Sequence, residues 1–285
     1  MAIITISRGS FFGSCEIADC LSKKLNYEIV DREEIIKEVT SKYGASMDGF
    51  IKAIESPLGF FDRIQPVHKV NYRFHYLAFF QAVLCEKAKN NKIIYVGHVG
   101  HLLLKGITHV IKVRVIADFN RRVESVMNRQ KLSQKEAAEY IQKVDKQRAE
   151  WARLLYGIDW NDPQLYDIVV KIKKLNTDTA CDMIKLMAES EDFQATNASI
   201  NALNNLALES KARATILSKY PMYNYDDIKV LAKEGKLEVG LSVKSKEDER
   251  DIKKLLANIP EATDVICFCN EKSDYEDISH LYSPW

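Results

Sequence analysis

No stretch of this 285-residue chain approaches the roughly 20 consecutive apolar residues that a membrane-spanning helix needs. The opening residues, MAIITISRGS, lack both a basic n-region and an extended apolar core, so they do not read as a secretory signal. Charge of either sign is not in excess. There are 41 Lys and Arg against 40 Asp and Glu, a formal net charge of +1, which argues against a dedicated nucleic-acid binder with a strongly basic face. Six cysteines (Cys15, Cys20, Cys85, Cys181, Cys267, Cys269) are scattered without a C-x-x-C pair. Their spacing indicates neither a zinc cage nor a disulfide framework, and a reducing cytoplasm is the default expectation. Also missing are H-x-x-x-H and H-E-x-x-H patterns. His98 and His101 lie three apart with no evident third ligand, so no metal site is expected.

What is present is an ordinary globular composition, 46% hydrophobic and 28% charged, which excludes disorder and collagen-like repeats. The length suits one large domain or two smaller ones. Ile3-Ile4-Thr5-Ile6 is a β-branched run that suits a buried central strand. A small-residue loop, Ser7 to Ser14, follows it. Then Ile17, Cys20, Leu21, Lys24 and Leu25 recur at helical spacing, and Tyr27 to Val30 reads as a second strand. Strand, tight loop, helix and strand within about 30 residues make a βαβ unit.

The alternation continues with strands at Lys92–Val96, His109–Ile116 and Tyr166–Ile172. Helices are expected at Arg121–Arg129, Ser133–Leu155 and Thr177–Glu189, with Ser133 and Glu136 forming a capping box. Such an order implies an α/β fold with a mainly parallel sheet flanked by helices. A polar stretch, 191–200, reads as a linker. Beyond it, a helix over Asn201–Lys219, strands Ile228–Ala232 and Leu237–Val243, a helix over Lys246–Asn258 and a strand over Thr263–Cys269 spell a small α+β unit of order αββαβ. The expected division is therefore a first domain over 1–190, a second over 201–270 and an acidic, aromatic tail over 271–285.

The loop after the first strand of an α/β sheet is the usual phosphate site, because a helix N-terminus offers free N–H groups and the positive end of its dipole. Arg8, Gly9, Ser10, Gly13 and Ser14 place glycines, hydroxyls and a guanidinium there. The Walker A pattern G-x-x-x-x-G-K-[ST] is absent: Ser14 stands at the lysine position and Glu16 at the metal-binding hydroxyl position. A backbone phosphate cradle survives that change, whereas a γ-phosphoryl transfer site is weakened by it.

Ile4-Thr5-Ile6-Ser7-Arg8 with Gly13 and Glu16-Ile17-Ala18, then Tyr27-Glu28-Ile29-Val30-Asp31-Arg32-Glu33, resemble the opening of the cytidylate-kinase-like family. Tyr95-Val96-Gly97-His98, Arg121-Arg122-Val123 with Met127 and Arg129, Lys143 to Arg148, Tyr156 to Pro163 and Tyr166-Asp167 continue the likeness in order over about residues 1–190. The resemblance implies a P-loop nucleoside-monophosphate-kinase fold with a five-stranded parallel core, an acceptor region inserted after the second strand, and a basic lid. It implies ATP and Mg²⁺ as cofactors if the chain is active. Asp31, Arg32, Gly97 and His98 match the acceptor side, with His98 standing where many relatives carry arginine.

The lid segment, Lys112 to Arg153, holds 11 Lys and Arg against 6 Asp and Glu. Arg122, Arg129 and Arg148 are the candidates for clamping phosphates, since guanidinium forks suit bidentate anion binding. Asp145, three residues before Arg148 on a helix, is placed to orient it; a solvated face of i,i+3 and i,i+4 ion pairs is the plain alternative. Cys15 near a helix N-terminus fits either a lowered thiol pKa or an inert buried cysteine. Phe11-Phe12 and Phe60-Phe61 suit base stacking or core packing, and His101 suits a structural role.

The C-terminal unit, with Gly235 at its hairpin and Val239-Gly240-Leu241-Ser242-Val243, resembles a BON domain. From Ser199 to Trp285 it carries 12 basic and 15 acidic residues, a surface that does not attract anionic lipid. A protein contact, ligand sensing or self-association is expected of it. Two readings of the whole remain: a nucleotide-binding phosphoryl-transfer enzyme, or a catalytically silent sensor of a nucleotide or other phosphorylated small molecule that acts through the second unit.

Overall fold

The computed structural model describes residues 1–8, 12–46, 49, 72–97, 99–242 and 246–269. Its first sheet is five-stranded, in the order β2-β3-β1-β4-β5, from β1 (Ile3–Arg8), β2 (Glu28–Asp31), β3 (Ile93–Gly97), β4 (Val110–Ala117) and β5 (Ile168–Ile172). Every pairing in it is parallel, with Ser7 of β1 level with Gly97 of β3 and Arg114 of β4. The sequence explains the order. All five residues of β3 are buried, as befits a strand flanked on both sides.

Alternation along β1 divides the core. Ile4 and Ile6 face α1 (Ser14–Leu25) and a later helix (Thr177–Glu189), in a cluster with Ile17, Leu21, Val113, Val115 and Ile184. Ile3 faces the opposite layer, with α2 (Arg32–Tyr43) and α3 (Tyr72–Ala88). After β3 come the short α4 (Gly100–Leu103), then α5 (Phe119–Gln130) and α6 (Gln134–Tyr156), which pack on each other through Val123, Val126, Ala137 and Ile141. The Ser133 capping box is formed: its hydroxyl accepts the Glu136 N–H at 3.3 Å, and the Glu136 carboxylate accepts the Ser133 N–H at 2.8 Å. Such a cap contributes about 1 kcal/mol.

The Thr177–Glu189 helix is α7. A 3₁₀ turn at Glu191–Phe193 leads into α8 (Asn197–Lys219), which starts earlier than the helix expected at Asn201 because Thr196 and Ser199 make a capping box. The second sheet has the order β6-β7-β8, from β6 (Ile228–Lys233), β7 (Lys236–Leu241) and β8 (Asp264–Cys269), with α9 (Lys246–Ala257) between β7 and β8. β6 and β7 are antiparallel, while β7 and β8 are parallel. One apolar cluster runs from Ile3, Phe80 and Tyr95 through α8 (Leu203, Leu208, Ile216) to Val230 and Val239 of this sheet. The α8 helix lies along α3, and His75 Nε2 is 2.7 Å from the Tyr223 carbonyl.

One expectation is corrected. Cys20 of α1 and Cys181 of α7 form a disulfide across a sequence separation of 161, with their Cα atoms 6.3 Å apart. No spacing rule reveals it, because only the packing of α1 on α7 brings the two together. Lys24 and Asp182 form an ion pair beside it. Among the described residues, no helix is long and apolar enough to cross a membrane.

Candidate functional site at the carboxyl ends of the strands

The segment after β1 turns into α1 at Gly13, whose φ of +85° is left-handed. A Cβ there would also meet Ile172 Cγ1 at 3.2 Å, so glycine answers both backbone conformation and space. Among the described residues, no side chain caps this helix. Its first N–H groups thus present the positive end of the dipole to an anion. Ser14, the first helical residue, is buried. Glu16 is exposed in the same turn, and its carboxylate is 3.5 Å from the Arg129 guanidinium. Arg8 ends β1, level with Val115; its side chain, Gly9, Ser10 and Phe11 lie outside the described residues.

The α5–α6 pair leans over this turn. Arg121 stacks on the Phe12 ring at 5.7 Å, and Arg129 reaches Glu16 from the far end of α5. Arg122 donates from Nη2 to both oxygens of Asp145, each at 2.7 Å. This pairing corrects the expectation that Asp145 orients Arg148. The contact runs between α5 and α6, not along one helix, and the bidentate clamp fixes Arg122. Arg148 lies half-buried one turn farther along α6.

On the acceptor side, Asp31 caps α2 by accepting the Glu34 N–H at 2.8 Å, and Arg32 is half-buried as the first residue of that helix. Lys87 of α3 bridges Glu34 at 2.6 Å and Glu38 at 3.3 Å, tying α2 to α3. Gly97 closes β3 under the ring of Tyr95, which leaves no room for a Cβ at Gly97 or Gly100. His98 and the Phe60-Phe61 pair lie outside the described residues. His101 is buried with its ring 4.8 Å from that of Tyr166. Burial, aided by Lys112 and Arg114, pushes its pKa down to about 4, so its imidazole is neutral at pH 7. Among the described residues, no group of three or more His, Cys, Asp or Glu is placed to hold a metal ion. Cys15 is half-buried at the start of α1.

Arg114, which no motif in the sequence marks, gathers several contacts in the structure. From β4 it donates to the Trp160 carbonyl at 2.7 Å and to Asn161 Oδ1 at 2.6 Å, and it lies over the rings of Trp160 and Tyr166 at 5.0 and 5.5 Å. The available signal was an arginine inside an apolar strand pattern, Val113-Arg114-Val115. A cavity of about 150 Å³ opens beside it, lined by Arg114, Arg122, Asp145, Trp160 and Asn161 among others.

A parallel sheet with an uncapped helix start after its first strand, overhung by an arginine-bearing helical pair, defines a kinase-like α/β protein. The family model of the cytidylate kinase-like family matches residues 3–174, and the chain belongs to that family. It is 25% identical over 182 residues to a cytidylate kinase of Saccharolobus islandicus (strain L.S.2.15 / Lassen #1), covering 64% of this chain and 88% of that one. A cytidylate kinase of Sulfurisphaera tokodaii is 26% identical over 185 residues, covering 64% and 93%. Among solved structures, an uncharacterized protein from Eubacterium ventriosum ATCC 27560 superposes with a TM-score of 0.51 at 24% identity, over 67% of this chain and 99% of that one. That likeness concerns the fold. The family match ends before α7, so the second sheet lies outside it.

Proposed function

We propose that the chain binds a nucleotide with its phosphates at the start of α1, and that it transfers a phosphoryl group from ATP to a nucleoside monophosphate, favouring a pyrimidine one. The observation that carries this reading is the reach of Arg121 and Arg129 from α5 to Phe12 and Glu16, which sets the guanidiniums of the lid over the uncapped helix start. Gly9, Ser10, Gly13 and Ser14 would cradle donor phosphates, and Asp31, Arg32, Gly97 and His98 would face the acceptor. Arg122, oriented by Asp145, together with Arg129 and Arg148, would stabilise charge on the transferring oxygens. Mg²⁺ would enter on the nucleotide's phosphates, since among the described residues no group of carboxylates stands ready to hold it and the Glu16 carboxylate is paired with Arg129.

A specific observation favours the second reading, a silent sensor. Ser14 is buried where a Walker lysine would reach the β/γ-phosphates, and the Glu16 carboxylate is engaged by Arg129. The C-terminal unit suits either reading. Its αββαβ order and mixed sheet support a BON-like module for protein contact, ligand sensing or self-association. Calorimetric titration with ATP and each nucleoside monophosphate, followed by a coupled assay for ADP release, separates the two. Binding with ADP release supports the kinase; binding without release under Mg²⁺ leaves the sensor.

A further inference from the structure

We infer that the cavity between β4 and the α5–α6 pair is an oxyanion subsite, in which Arg114 receives the phosphoryl group of a ligand. The inference rests on the nucleotide-binding reading and adds to it a residue outside the lid. Placing a guanidinium on a strand of the central sheet is costly unless its charge is answered. Arg114 is half-buried, yet among the described residues no carboxylate lies within ion-pair distance of it. Its partners are a carbonyl, a side-chain amide and two aromatic faces, all neutral.

The acids nearby are already engaged. Asp145 takes both of its bonds from Arg122. Asp167 accepts the Lys112 N–H at 2.7 Å and lies 3.8 Å from the Lys112 ammonium. Asp159 accepts from the backbone and side chain of Asn161. Two guanidiniums and one carboxylate therefore line the cavity, an excess of one positive charge. Its volume of about 150 Å³ suits a phosphoryl group and is too small for a nucleoside. Val115, which also lines it, turns its side chain to the other face of β4, 3.6 Å from the place of a Cβ on Gly13, so the subsite and the start of α1 flank the same stretch of that strand from opposite faces. A mere clamp on the 159–166 segment would use the same neutral bonds but would leave this charge unanswered.

Trp160, stacked on Arg114, reports occupancy directly. The full chain is titrated with inorganic phosphate, pyrophosphate, CMP, ATP and cytidine, while calorimetry and the Trp160 indole resonance are followed. Phosphate-bearing probes should shift that resonance and cytidine should not. Arg114→Gln should weaken their binding about tenfold or more, and Arg114→Lys, which keeps the charge and loses the fork, by less. A response to inorganic phosphate marks a subsite for free oxyanions, and a response to nucleotides alone marks one for a nucleotide phosphoryl; both support the inference. If nucleotides bind the wild type, but Arg114→Gln or, should that variant not fold, Arg114→Lys binds them within twofold and Trp160 does not respond, the inference fails while nucleotide binding stands. If no probe binds the wild type, the nucleotide reading itself fails.

Discussion

Gly97 stands at the carboxyl end of β3, where a glycine serves either close approach of a ligand or close packing of the chain, and Gly97→Ala distinguishes the two. In the fold, a Cβ at Gly97 would overlap Oη and Cζ of Tyr95 and lie 2.8 Å from its Cε1. Tyr95 is 1% exposed and packs edge-on against Phe80, with ring centroids 6.2 Å apart. The ring cannot swing outward into solvent, so the methyl must displace packed neighbours. Overpacking of this kind costs roughly 1–3 kcal/mol, and about 2 kcal/mol is expected here. For a chain of this size, that lowers Tm by roughly 4–8 °C. Urea denaturation followed by circular dichroism measures the loss. The double variant Tyr95→Leu/Gly97→Ala should lose less than the sum of its singles, because contacting residues couple by about 0.5–3 kcal/mol. Stability within about 0.5 kcal/mol of wild type, with nucleotide binding abolished, would refute the packing argument and make Gly97 a ligand-approach glycine.

Asp145→Asn should cost about 1 kcal/mol in urea denaturation, because it removes charge from a partly buried bidentate pair with Arg122; an unchanged midpoint would show that the pair is only a solvated contact. Reducing the Cys20–Cys181 bond should lower stability by up to about 5 kcal/mol on the chain-entropy account for a separation of 161. Paired denaturation curves with and without dithiothreitol test this, and coincident curves would count against the bond. His101 is neutral in the fold, with its pKa pushed down to about 4. The unfolded chain takes up a proton near pH 6.5 and the fold does not, so stability is full above that pH and falls as pH drops toward 4, by about 3 kcal/mol. His101→Gln should flatten that slope between pH 6.5 and 4.5, and an unaltered slope would assign it to other groups. Ser14→Lys should raise ATP affinity in calorimetry, and no gain would mean that this turn does not approach the β/γ-phosphates.

The parts of the fold legible in the sequence were those governed by neighbours in the chain. The βαβ opening, the capping box of Ser133 and Glu136, the strands around Ile94 and Val113, and the αββαβ order of the C-terminal unit all follow from periods and caps spanning a few residues. The candidate site was legible to the same extent: Gly13 starts a helix, and the lid arginines lie on helices beside it. Arg114 is not legible because a strand arginine has no motif, and helical spacing points Asp145 to Arg148, three residues on, and not to a residue of another helix.

The sequence by itself determined the type and order of elements and the near-neutral charge, since the elements depend on local dihedrals and on the alternation of apolar residues. Only the tertiary structure decided which distant groups meet: Cys20 with Cys181, Arg122 with Asp145, Arg114 with Trp160, and α8 along α3. Such contacts join residues far apart in the chain. They form because burying apolar faces outweighs the entropy of closing long loops, a balance set by the whole core and not by any short stretch of residues.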